Sequence, residues 1–145
     1  MLACCIIKPP SIGLTEQICS QLNSLGIEII TQKEFVYSVH AIQMLYDHMS
    51  TEARVMIGER YLGKKGIALL LTFESVEHCN GILGSESDPR ACEAHSLRAI
   101  YGSRTEPERL GEWQWWENAI HRPIDERERV RDLLLVFPKN YQSAG

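Results

Sequence analysis

An α+β fold, with four strands in one mainly antiparallel sheet and helices packed on it, is predicted by three observations. Strand-length segments rich in apolar, β-branched or aromatic residues recur at 2–7, 27–37, 67–73 and 113–121. Helical periods and caps occupy the intervals between them. The resulting order is strand, helix, strand, helices, strand, helix, loop, strand, helix. That is the split βαβ, or ferredoxin-like, order with extra helices between the second and third strands. A chain of 145 residues suits one domain, here 1–145, with a core of its own.

Each element has a local reason. Leu2 to Ile7 is continuously apolar and stops at Lys8-Pro9-Pro10, the mark of a central strand covered on both faces. Thr15 is expected to cap a helix whose Ile18, Leu22 and Leu25 share a face and which Gly26 ends. Ile27 to Tyr37 is rich in β-branched and aromatic residues and reads as a second strand. Ser38 caps the next helix, with Ile42, Leu45 and Met49 on one side and Tyr46 beside them, and a further helix spans Glu52 to Leu62. Gly63 to Gly66 is a turn, Ile67 to Phe73 a third strand, and Ser75 caps a short helix ending near Gly84.

Ser85 to Gly111 has no sustained period, and a loop of that length is more often functional than filler. Trp113 to His121 is expected to be the fourth strand. Asp125-Glu126-Arg127-Glu128 has the spacing of a capping box, and Val130, Leu133, Leu134 and Phe137 give the last helix an apolar stripe. The charges from Arg127 to Arg131 are read as a solvated face of that helix.

Composition excludes several classes. Apolar residues make up 44% and charged residues 23%, as in soluble globular domains, and the formal charge of -4 argues against a general nucleic-acid binder. No apolar run approaches the ~20 residues of a membrane span, and the first residues lack a signal peptide's positive leader, so a cytoplasmic protein with no membrane role is expected. Five cysteines without a CxxC fit reduced thiols better than a disulfide framework. His78-Cys79 and Cys92-x-x-His95 lack the usual zinc-ligand spacing, and no metal site is assigned.

The stretch Glu117-Asn118-Ala119-Ile120-His121 puts one imidazole at the end of a short apolar segment, with Asp132 further on to orient it. That suits a nucleophile, and by itself equally an ordinary strand end. The motifs around it resemble the nucleoside diphosphate kinase family. Ile6-Ile7-Lys8-Pro9 looks like its first-strand motif, Asn118-Ala119-Ile120-His121 like its Asn-x-x-His motif, and Ser96-Leu97-Arg98 like its phosphate-loop Thr-Ile-Arg. Tyr46 falls where the family carries a tyrosine. Cys4 to Pro9, Leu97 to Gly102 and Asn118 to His121 are most similar to the second domain of the family's tandem-domain, cilium- and centrosome-associated member.

The resemblance implies phosphoryl transfer from a nucleoside triphosphate to a diphosphate through phosphohistidine at His121, with magnesium bound along with the nucleotide. It implies Lys8 and Arg98 as phosphate cations, Lys8 and Asn118 at the ribose, Tyr46 beside the imidazole, and Asp132 in place of a glutamate that accepts its hydrogen bond. It also implies nucleotide partners, a homo-oligomer, and a second class of role: a catalytically weak structural or interaction module in a ciliary or microtubule assembly, hence a cytoskeletal or ciliary location.

The chain also departs from the pattern. After the histidine it has Arg122-Pro123-Ile124 where the family has Gly-Ser-Asp; Asn80 stands for a phosphate-binding arginine, and Arg54 lies near the position of the base-stacking phenylalanine. Ser87 aligns loosely with a phosphate-binding threonine and reads better as a solvated loop serine. A lost charge-assisted hydrogen bond weakens binding by ~1.5–3 kcal/mol and lost stacking by ~1–3. An insertion around 102–116, with Trp113, Trp115 and Trp116 at its end, could be packing, cover the site, replace the base contact or bind another protein.

Overall fold

The computed structural model describes residues 1–110 and 113–144. Its centre is β1 (Leu2–Ile7), paired antiparallel with β3 (Lys65–Thr72) on one side and with β6 (Ile120–His121) on the other. β2 (Ile29–Val36) pairs antiparallel outside β3, which gives the order β2-β3-β1-β6. The predicted α+β fold and sheet are therefore present. The apolar character of β1 has its cause in helices on both faces. Cys4 and Ile6 join Leu70, Ile57 and Leu133 on one face, while Ala3, Cys5 and Ile7 join Leu69, Ile18 and Leu83 on the other. Burying each such Leu or Ile contributes roughly 1.5–3 kcal/mol.

The helices are α1 (Thr15–Ser24), α2 (Val39–Leu45), α3 (Thr51–Tyr61), α4 (Val76–Leu83), α5 (Leu97–Tyr101), α6 (Glu126–Val136) and α7 (Pro138–Ala144). Ser38, Ser50, Ser75, Ser96 and Asp125 each accept a bond from the backbone N–H three residues on, as N-caps do. Gly26 follows α1 with φ +79°, the left-handed stop that glycine adopts most easily.

Four expectations need correction. Thr15 caps nothing: a 3₁₀ turn over Pro9–Leu14 precedes α1, Leu14 is the N-cap, and the Thr15 hydroxyl donates back to the Ile12 carbonyl. Trp113 to His121 is two strands. β5 (Trp113–Trp115) pairs with β4 (Glu108–Leu110) in a separate hairpin, and only β6 joins the main sheet. The break lies at Ala119, whose φ of 71° no extended strand accommodates. The long loop is partly ordered, by a 3₁₀ turn at Pro89–Ala91 and by α5 and β4. On α6 the core side chains are Leu133 and Val136, followed by Phe137; Leu134 faces solvent. Among the described residues no helix is long and apolar enough to cross a membrane.

Gly66 of β3 lies tight against the end of β1. A Cβ there would stand 2.6 Å from the Ile7 carbonyl oxygen and 3.1 Å from Ile6 Cγ2. Gly66→Ala should therefore cost about 1–3 kcal/mol by overpacking. A lower midpoint in chemical denaturation checks this, and an unchanged midpoint would mean the strands separate freely.

Candidate active site

Residues 118 to 121 set up the site with one tight turn. Ile120 N–H donates to the Asn118 carbonyl at 2.8 Å across Ala119, and Lys8 N–H continues the β1 ladder onto the Ala119 carbonyl at 2.9 Å. A left-handed alanine costs roughly 1–2 kcal/mol, so this turn is held against a local preference. Beyond it, His121 pairs with Ile6, which puts the imidazole on the α2 and α6 face of the sheet. Asn118 and His121 thus reach the wall of one cleft of about 300 Å³, together with Lys8, Tyr46, Arg98 and Arg122.

His121 is 6% exposed and Asp132 0%. Their Nε2 and Oδ2 atoms are 2.8 Å apart. Asp132 Oδ1 accepts from Arg131 Nε at 2.9 Å, Arg131 Nη1 reaches Asp47 Oδ1 at 2.8 Å, and Arg127 Nη1 reaches the other Asp47 oxygen at 2.9 Å. Bonds to Arg127, with Arg131 close by, hold the Asp47 carboxyl at about 2. A carboxylate at Nε2 fixes the tautomer with its proton there and leaves Nδ1 its lone pair. Burial lowers the His121 pKa, against the pull of Asp132, and Lys8 and Arg131 lower it further. The imidazole is neutral at pH 7, the form a nucleophile needs.

Three basic side chains line the cleft with the imidazole, all buried. Lys8 Nζ donates to Asn118 Oδ1 at 2.5 Å, and Asn118 Nδ2 donates to the Ser87 carbonyl at 3.0 Å. Arg98 donates through Nε to the Ile120 carbonyl at 3.0 Å and through Nη1 to the Glu86 carbonyl at 2.8 Å. Arg122 donates through Nε to the Gly84 carbonyl at 2.8 Å and through Nη2 to the Ser85 carbonyl at 2.9 Å. None of the three forms an ion pair with a carboxylate among the described residues. Burial, with Arg98 and Arg122 near and Glu117 opposing, pushes the Lys8 ammonium down to about 7; burial and Arg122 push Arg98 down to about 10. Such a group of buried cations is suited to an anion with several charged oxygens.

The six expected site residues therefore converge. Tyr46 meets the His121 ring edge-on, with centroids 6.1 Å apart, and its buried hydroxyl has no hydrogen-bond partner among the described residues. Ser87 is exposed in its loop, as expected of a solvated serine, at the edge of the cleft. Neither Asn80 nor Arg54 is part of the cleft wall: Asn80 donates to the Ile124 carbonyl, and Arg54 to the Met49 carbonyl. The helix face from Arg127 to Arg131 is not solvated throughout, since Glu128 and Arg131 are buried. Their three-residue spacing, which puts them on one side of α6, is the only sequence hint of this; the partner, Asp47, is remote in sequence. The tryptophans line the same cleft, with Lys8 Nζ 5.6 Å from the Trp115 ring centroid.

A four-stranded antiparallel sheet carrying this helix arrangement is the fold of the nucleoside diphosphate kinases, which are the chain's structural neighbours. The chain is similar to the Borrelia burgdorferi enzyme in a transition-state-mimic complex with vanadate and ADP, with a TM-score of 0.78 and 16% identity over 97% of this chain and 88% of that one. It is likewise similar to the Aquifex aeolicus enzyme, at 0.73 and 17% over 94% of each chain, and to the Encephalitozoon cuniculi enzyme, at 0.71 and 17% over 94% and 88%. By sequence it is 26% identical over 144 residues to human Thioredoxin domain-containing protein 6, covering 92% of this chain and 40% of that protein. The chain thus spans well under half the length of this curated relative. No protein-family model matches it.

Two measurements probe the electrostatics. In an NMR titration of the imidazole, Asp132→Asn should lower the His121 pKa further and Lys8→Met should raise it; shifts of the opposite sign would refute the charge arrangement. Lys8 also links stability to pH. Below about 7 its ammonium is charged in both states, and folding bears the whole cost of burying it. Between there and the ordinary lysine value of ~10.4 the folded chain has released a proton that the unfolded chain keeps, so stability rises with pH. Urea denaturation from pH 6 to 10 should show wild type gaining on Lys8→Met across that window, and a constant difference would count against it.

Proposed function

We propose that the chain is a nucleoside diphosphate kinase-like phosphotransferase, whose site residues are His121 and Asp132 for chemistry and Lys8, Tyr46, Arg98 and Asn118 for substrate. The observation that carries this is a neutral imidazole, fixed by a buried carboxylate, in a cleft with three buried cations that lack carboxylate partners. In the first half-reaction His121 Nδ1 forms a bond to the terminal phosphorus of a nucleoside triphosphate. The bond to the bridging oxygen breaks, and its electron pair leaves on the diphosphate. The proton stays on Nε2, hydrogen-bonded to Asp132, whose negative charge balances the positive charge gained by the ring. In the second half-reaction a diphosphate oxygen attacks that phosphorus and Nδ1 recovers its lone pair.

Lys8, Arg98 and Arg122 neutralise charge on the phosphate oxygens without reorganising, because neighbouring carbonyls already hold the guanidinium groups. Magnesium would enter as part of the substrate, bound to its phosphates. One observation favours a second reading. Arg122 occupies the position where the family pattern has glycine beside the histidine, which suits a weak or non-catalytic module that binds a partner in a ciliary or microtubule assembly. We take 1–145 as one domain with an insertion around 102–116.

Incubation with γ-labelled ATP and magnesium should give acid-labile, base-stable label on the protein, lost in His121→Asn, with turnover down at least a thousandfold. Absence of label at millimolar ATP would sink the catalytic reading and leave the second, which co-sedimentation with microtubules then tests.

A further inference from the structure

The cleft that holds His121 has two kinds of wall. Lys8, Arg98, Arg122 and the imidazole make a charged part, while Trp113, Trp115, Met49 and Ile57 make an apolar one. Trp115 joins them: its ring lies 5.6 Å from the Lys8 ammonium and 5.7 Å from the Trp113 ring. The ring of Trp115 is already committed. It has the edge of Tyr61 at 5.4 Å, the Arg60 guanidinium at 5.0 Å and its own N–H on Glu117 at 2.5 Å. Trp113, half-buried on the same face of the hairpin, has Trp115 as its one aromatic neighbour among the described residues, so part of its ring is open to the cleft. The hairpin does not hang free: Glu108 pairs with Arg60 of α3, and Ser103 N–H donates to the Glu117 carbonyl at 2.7 Å.

We infer that this hairpin is a nucleobase platform, with Trp113 as the stacking surface for the base of a nucleotide whose phosphates lie among Lys8, Arg98 and Arg122. The inference rests on the phosphate-site reading above and adds to it the residue that discriminates a nucleotide from a bare polyphosphate. Arg54, where the family resemblance leads one to look for a stacking ring, is bonded to the Met49 carbonyl and is not in the cleft wall. Any stacking partner must come from elsewhere: of the aromatic side chains that line the cleft, Tyr46 already meets the His121 ring and Trp115 is already committed, and of Trp113 and Trp116 it is Trp113 that the hairpin holds. Every base has a π face, so a tryptophan platform tolerates purines and pyrimidines alike. A platform fixed before binding loses little entropy when the base arrives.

The test compares ATP with inorganic tripolyphosphate, both with magnesium, followed by tryptophan fluorescence and calorimetry on wild type, Trp113→Phe and Trp113→Ala. Wild type should bind ATP at least tenfold more tightly than tripolyphosphate. Trp113→Ala should lose about tenfold for ATP and nothing for tripolyphosphate, while Trp113→Phe should keep most of the ATP affinity. Should the alanine variant melt early, Trp113→Leu, which fills the space without a π face, gives the same comparison. Equal wild-type affinity for the two ligands, or a parallel loss of both in the variant, overturns the platform and leaves the phosphate site standing. Failure to bind either ligand overturns both.

Discussion

Three cations buried without carboxylate partners are the constraint on which the site end of this fold depends. Burying an ion is expensive unless hydrogen bonds replace its water. Here the Asn118 amide oxygen does so for Lys8, and backbone carbonyls do so for the two arginines: Gly84, Ser85 and Glu86 from the stretch after α4, and Ile120 from β6. The end of α4, the start of α5 and the edge strand are thereby drawn to the carboxyl end of β1, where Lys8 stands. Gly84 shows how close that packing is. Its φ is +120°, and a Cβ there would lie 2.8 Å from Arg98 Cβ and 2.9 Å from the Cys92 sulfur. Glycine is needed there because the arginine carbons occupy the space a side chain would take.

The opposite side of the imidazole is organised by depth. A carboxylate one methylene shorter than glutamate reaches His121 because α6 lies directly on β1 through Leu133 and Val136. Asp132 is then fully buried, and so needs a partner for its second oxygen. Arg131 supplies it and is in turn held by Asp47, just after α2. The result is a line of alternating charge from the imidazole to the surface, in which each group satisfies the one before. Such a line restricts motion of α6 more than apolar packing alone would, because losing any member leaves a buried charge exposed to a low dielectric.

What the sequence made legible follows from whether the cause is local. β1 and β3 are continuous apolar runs, and their burial on both faces could be read directly. Ser38, Ser75 and Asp125 announced caps, and Gly26 a stop. The break between Trp116 and Ile120 was not legible, because it is made by an alanine in a conformation that alanine seldom adopts. Tertiary contacts impose that angle, through Lys8 and the β1 ladder. The burial of Glu128 and Arg131 was equally hidden, since the ion pair that favours it joins residues 84 positions apart. Motif order placed Lys8, Tyr46, Arg98, Asn118, His121 and Asp132 on the list of site residues. It left the place of the tryptophans open among packing, cover, base contact and partner surface, because the pairing of 108–110 with 113–115 is encoded by no periodicity.

Arg122-Pro123-Ile124 bears most directly on whether a phosphate can be received. The arginine side chain leads to the carbonyls of Gly84 and Ser85, and these take two of the five N–H donors a guanidinium carries. Arg98 likewise commits two to carbonyls. Each therefore keeps three donors for an anion, so the tripeptide loses the thin backbone of a glycine and gains a fixed charge. Pro123, which has no N–H to leave unsatisfied, leads to Ile124, whose N–H is taken by Glu128 at 3.1 Å and whose carbonyl accepts from Asn80 at 3.2 Å. The segment after the histidine thus joins the cation cluster to the first turn of α6, the helix that carries Asp132. One cation of the cleft and an anchor of the first turn of α6 thus come from the same three residues. Where the chain differs from the motif it resembles, the difference therefore touches the cation cluster and the start of α6 together.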